Sequence, residues 1–145
     1  MGDLKYKIIT EKIIGTATKV HAALGNGFQK VIYQRALTIQ IEKDGLGFIR
    51  ECSMPIYYCA RHIGDRIVDF FVEDKIGVEL KAISQLEPVN FAQARNYLEA
   101  FNVEVDLLIN FGSISLQFKR LENNKYKSKL ISHPSNPTNP PKSKF

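Results

Sequence analysis

Between Leu4 and Leu24 the apolar residues Ile9, Ile13, Ala17, Val20 and Leu24 recur at three- and four-residue intervals, the signature of a helix with one buried face. Gly25-Asn26-Gly27 supplies the stop, because glycine and asparagine tolerate the left-handed conformation that ends a helix. A second helix is predicted from about Phe28 to Lys43, with Phe28, Ile32, Ala36 and Ile39 buried and Asp44-Gly45 as its terminator. The pattern then shifts to extended segments over 48–58 and 65–82, three in all, with Pro55 marking the first as an edge strand or an interrupted one. Pro88 suits the first turn of a third helix, whose stripe Phe91, Ala94, Leu98 and Phe101 is core. Val105 to Asn110 is a nearly continuous apolar run, as in a strand buried on both faces, and Ser115 to Lys119 alternates after a turn at Gly112. This order predicts an α/β or α+β domain around a mixed sheet, with a crossover from strand 77–82 through helix 88–101 to strand 105–111.

Composition changes the picture only at the end of the chain. The 145 residues are 44% hydrophobic and 24% charged, as in an ordinary globular protein with one domain. The net charge of +5 looks like a nucleic-acid signal, but residues 1 to 122 hold 15 basic and 15 acidic side chains. The whole excess sits at Lys125, Lys127, Lys129, Lys142 and Lys144, within a segment of Lys, Ser, Asn and Pro that is expected to be disordered. The expected division is therefore a folded domain over 1–122 and a basic tail over 123–145. Such a tail can add salt-sensitive phosphate affinity, without implying a basic groove on the domain. No apolar stretch is long enough to span a membrane and the N-terminal residues do not read as a signal peptide, so a cytoplasmic protein is expected. Cys52 and Cys59, without a CxxC or a histidine cluster, argue against zinc and read as reduced packing residues.

The candidate chemistry lies in the paired segments Ile67 to Val72 and Gly77 to Lys81. A hairpin centred on Asp74 sets Asp69 opposite Glu79, and the two-residue period puts Lys81 on the same face. Facing carboxylates repel each other. A divalent cation such as Mg²⁺ relieves the repulsion and brings waters that can serve as nucleophiles. Neutralisation by Lys81 alone, or a one-residue slip that separates the acids, explains the same residues without a metal. On the third helix Gln93 and Tyr97 lie one turn apart, beside the core stripe. His21 reads as packing or capping, Tyr33 as an anchor of the second helix, and His62 and His133 as lacking partners.

Asp69, Glu79-x-Lys81 and Gln93-x-x-x-Tyr97 together resemble the PD-(D/E)xK nuclease superfamily, in the branch with a QxxxY helix motif. The segments Val20-His21-x-x-Leu24-Gly25-x-Gly27-Phe28, Arg66-x-x-Asp69, Val78 to Ala82, Gln93 to Leu98 and Leu107 to Gly112 resemble the small bacterial GxxExxY proteins over roughly residues 5 to 121. The resemblance implies a restriction-endonuclease-like three-layer core, a mixed central sheet flanked by helices. It further implies Mg²⁺ or Mn²⁺ held by Asp69, Glu79 and the Leu80 carbonyl, Lys81 as the catalytic lysine, and Gln93 and Tyr97 at the rim. The implied partner is nucleic acid, DNA in preference to RNA, with Lys30, Arg66 and Arg95 as candidate phosphate contacts. One departure stands out. The motif glutamate of the family is Lys30 here, within Gly27-Phe28-Gln29-Lys30-Val31-Ile32-Tyr33, and Val68 replaces the superfamily's proline. The expectations are a metal-dependent nuclease weakened at Lys30, or an inactive relative that binds nucleic acid or a protein. A purely structural subunit with its acids neutralised internally is the third.

Overall fold

A computed structural model describes residues 6–127. Its elements are α1 (Lys7–Leu24), α2 (Lys30–Lys43), β1 (Phe48–Tyr58), β2 (Arg61–Val72), β3 (Ile76–Lys81), α3 (Pro88–Ala100), β4 (Val105–Asn110) and β5 (Gln117–Glu122). The five strands form one mixed sheet in the order β1-β2-β3-β4-β5, with β3 and β4 parallel and the other pairs antiparallel. The parallel pair is joined through α3, as the crossover pattern requires.

Three layers result. Ile13, Ala17 and Val20 of α1 and Tyr33, Leu37 and Ile41 of α2 pack on Phe70, Val78, Leu80, Leu107 and Ile109 of the sheet. On the opposite face Ala94 and Leu98 of α3 meet Leu108 and Leu121, while Phe101 joins Cys52, Met54, Val68 and Phe71. This is the α/β, restriction-endonuclease-like architecture expected. Gly25 ends α1 at φ 76°, and Pro88 opens α3 behind a capping box between Glu87 and Asn90.

Several details differ from the sequence pattern. The buried stripe of α2 is Tyr33, Leu37 and Ile41, whereas Phe28 and Ile39 are exposed. Tyr33 decides this: its ring stacks on Phe111 at 4.8 Å, and its hydroxyl donates to Gly25 O and accepts from the Phe28 N–H. β2 begins at Arg61 instead of 65, β5 runs 117–122 instead of 115–119, and Cys59 is exposed. His62 has a partner after all, Asp65 at 2.9 Å. His21 packs near Phe111 and its Nε2 lies 3.0 Å from Ser113 O.

Packing also continues past residue 122. Asn123 is buried, donating to Leu98 O and Val103 O, and Asn102 bonds the Lys127 backbone. The remainder of the expected tail, with His133, lies outside the described residues.

β1 and β2 form a long ribbon, paired from Phe48↔Val72 out to Tyr58↔Arg61, whereas β2 pairs with β3 only from Phe70 to Val72. The outer half of the ribbon therefore stands clear of the other strands, and the sheet forks just where Asp69 lies.

Candidate active site

The β2–β3 register pairs Phe70 with Val78, Phe71 with Gly77 and Val72 with Ile76, so the hairpin is centred on Asp74. Glu73 and Asp74 make the turn in left-handed conformations, at φ 54° and 57°. The next pair outward is Asp69 and Glu79, but here the ladder gives way. Val68 and Phe71 belong to the same cluster although they are three residues apart, so alternation fails between them. Across from this break the β1 register skips Glu51, which has φ 55°. A local irregularity of this kind re-aims a side chain, and the one re-aimed is Asp69. Its Oδ2 accepts the Leu80 N–H at 2.8 Å, taking a bond that a continuing strand would have supplied.

Asp69 and Glu79 are both buried, and each already has a cation. Lys30 Nζ lies 3.2 Å from Asp69 Oδ2, and Gln34 Nε2 donates to Asp69 Oδ1 at 2.7 Å. Lys30 and Gln34 are four residues apart on α2, hence on one stripe. Arg66 forms an ion pair with Glu79, and its guanidinium carbon sits 3.9 Å above the centre of the Tyr97 ring. Burial pushes the Glu79 carboxyl upward and Asp69 adds to that. The charges of Arg66, Lys81 and Lys30 pull the other way, and burial prevails.

A third carboxylate lies beside these two. Asp106 on β4 pairs across the parallel ladder with Gly77, two residues before Glu79. It is buried, its Oδ2 has no hydrogen-bond partner among the described residues, and it lines a cavity of about 10 Å³ with Glu79, Gly77 and Tyr97, room for one water. Burial, then the charge of Glu79, raises its carboxyl well above the ordinary range.

Of the residues singled out from sequence, Asp69, Glu79, Lys30, Arg66 and Tyr97 converge here, and Lys81 follows Glu79 on β3 closely enough to act on its charge. Gln93 is exposed and takes part in none of these contacts. Arg95 donates instead to Glu122 O at the end of β5. Sequence reasoning missed Gln34 and Asp106. The i, i+4 spacing from Lys30 was available for Gln34, and for Asp106 a lone acid inside an apolar strand.

The family model of the PD-(D/E)XK nuclease superfamily matches residues 7–121. The chain belongs to this superfamily. No curated protein and no solved structure matches it.

PD-(D/E)XK nucleases usually use divalent metals, and the donor set here fits one of modest demands. Two buried carboxylates are hard oxygen ligands suited to Mg²⁺ or Mn²⁺, ions bound through one or two acids with the remaining positions left to water and phosphate. Among the described residues no group of three or more His, Cys, Asp or Glu is arranged as an all-protein cage. Any such cation competes with Lys30 and Arg66 for the same oxygens. No helix among the described residues is long and apolar enough to cross a membrane.

Proposed function

We propose that this protein is a metal-dependent phosphodiesterase acting on nucleic acid, DNA in preference to RNA, and that it belongs with the GxxExxY branch of its superfamily. The observation that carries the reading is the junction at the fork: two buried acids from adjacent strands, Asp69 bonded to the Leu80 amide, and Lys81 further along β3. Asp69, Glu79 and the Leu80 carbonyl would hold Mg²⁺ or Mn²⁺. A cation there supplies Lewis acidity toward a phosphoryl oxygen and a nucleophile at neutral pH. Lys81 offsets charge on the phosphate as it develops, with Tyr97 at the rim. Gln93 requires substrate contact to take part, since it is exposed and outside the acids' bonding network among the described residues.

Cleavage of a linear DNA duplex with Mn²⁺, Mg²⁺ or chelator tests the reading. Cleavage that requires metal and is lost in Glu79→Ala and Lys81→Ala supports it. No cleavage and no rise in melting temperature with either metal would overturn it.

A second reading is favoured by one contact, the Lys30–Asp69 ion pair. An ammonium where the family carries a glutamate weakens metal binding, and the protein then serves as a module that binds nucleic acid or a protein partner without cutting. DNA binding that persists without any metal effect would select it.

A further inference from the structure

The two carboxylates of the site are balanced by side chains that differ in their freedom to leave. Lys30 is 45% exposed and can turn its ammonium into solvent on a flexible stem. Arg66 is 15% exposed and cannot. Its Nε is already buried without a partner among the described residues, its Nη1 donates to Ile67 O, and its guanidinium is held over the Tyr97 ring. A divalent cation arriving at Asp69 and Glu79 takes the Glu79 oxygens from Arg66 and strands a guanidinium in a dry setting, which is costly. Two carboxylates would then face a divalent ion and three cationic side chains, Lys30, Arg66 and Lys81.

We infer that Arg66 is an exchangeable counter-cation that passes from Glu79 to a phosphodiester when the metal binds, so that metal and phosphodiester bind this site with positive coupling. The inference rests on the metal-site reading above. A guanidinium released from a carboxylate suits a phosphate, since both anions offer paired oxygens to its fork of donors. Tyr97 keeps it in place during the exchange, which gives that ring a positioning role. Lys30 has a different part: it lowers metal affinity in the resting protein and contributes little to the coupling, because solvent receives it. Coupling is reciprocal, so each ligand raises the affinity of the other by one factor. A rival acceptor is at hand in Asp106, whose Oδ2 is unpartnered among the described residues and on which the charge of Arg66 already acts.

The test is Mn²⁺ binding to the full chain by titration calorimetry, alone and with saturating dimethyl phosphate, a phosphodiester without a base, and in parallel with inorganic phosphate. The expected result is Mn²⁺ binding about tenfold tighter with dimethyl phosphate, within the usual range of coupling. Arg66→Gln should bind Mn²⁺ alone at least as well and lose the coupling, Tyr97→Phe should keep it, and Lys30→Gln should bind Mn²⁺ tighter with the coupling intact. The wild-type measurement decides the matter even where a variant fails to fold. Mn²⁺ binding that Glu79→Gln abolishes but dimethyl phosphate leaves unchanged overturns the coupling and spares the metal site. Absence of Mn²⁺ binding overturns both. Coupling to inorganic phosphate alone would show a terminal phosphate as the ligand, against the diester. Coupling that appears only in Asp106→Asn would show that Arg66 turns to Asp106, and would equally overturn the proposal.

Discussion

Lys30 lies 3.2 Å from Asp69 on an oxygen that also receives the Leu80 N–H. The second helix thus delivers a positive charge to the acid, at the position where the GxxExxY motif that the sequence resembles has a glutamate. Lys30→Glu exchanges an attractive contact for a repulsive one beside a buried carboxylate. It should cost about 1–3 kcal/mol without metal. Mn²⁺ should restore that loss, because a ligand at a hundred times its dissociation constant stabilises by about 2.7 kcal/mol. Thermal melts of both proteins with and without Mn²⁺ check this. Equal metal responses would place the Lys30 charge outside the metal's reach.

Gly77 and Asp106 occupy one rung of the parallel ladder, and a Cβ at position 77 would stand 2.5 Å from Asp106 Oδ1. Gly77→Ala therefore overpacks a buried site and should destabilise by about 1–3 kcal/mol. Combining it with Asp106→Ala removes the obstructing atom. Urea unfolding of the two single variants and the double should show a clearly non-additive cycle, as contacting residues do. Additive losses would mean that Asp106 turns aside without cost.

Asp106 should also give the protein a distinctive pH dependence. Its carboxyl is raised in the fold, by burial first and Glu79 second, so the folded state keeps a proton that the unfolded chain releases near pH 4. Its contribution is complete below that value and is lost as pH rises toward the folded pKa. Asp106→Asn, which cannot ionise, should flatten the fall in stability from pH 4 upward and leave a protein more stable than wild type at neutral pH. Denaturant midpoints from pH 4 to 8 measure the slope, and an unchanged slope would refute the assignment.

The sequence pattern located α1, α3 and the hairpin at Asp74 because each rests on local signals: a clear apolar period, a proline at the first turn, a polar triplet between β-formers. It misplaced the inner face of α2 because apolar residues lie nearly all round that helix. What selects Tyr33, Leu37 and Ile41 is a ring stacked on Phe111, far along the chain. Asp69, Glu79 and Lys81 were legible through their spacing. Asp106 was visible as a lone acid in an apolar strand, but its place beside Glu79 was not, since its reason for being tolerated is a missing side chain at Gly77 on another strand. Nor could spacing reveal that Arg66 would sit between Glu79 and Tyr97, as that depends on three separate elements.

The anchoring role of Tyr33 is itself open to measurement. Tyr33→Phe keeps the stack on Phe111 but leaves Gly25 O and the Phe28 N–H without the hydroxyl that both use. A loss of about 0.5–1.5 kcal/mol is expected from the two part-buried hydrogen bonds that disappear. Chemical denaturation will give the value, and a neutral effect would show that solvent reaches the turn.

The fork in the sheet divides the site between two parts of unequal permanence. Glu79 belongs to a strand with neighbours on both sides, whereas Arg66 belongs to the stretch of β2 whose strand partner, among the described residues, is β1 alone. A two-stranded ribbon is marginal by itself and opens at lower free energy than a central strand. As the protein is warmed, the amides around Arg66 should exchange with solvent before those around Glu79. The guanidinium paired with Glu79 then departs first, so that acid loses its ion-pair partner just before the protein unfolds, while Lys30 stays with Asp69 on α2.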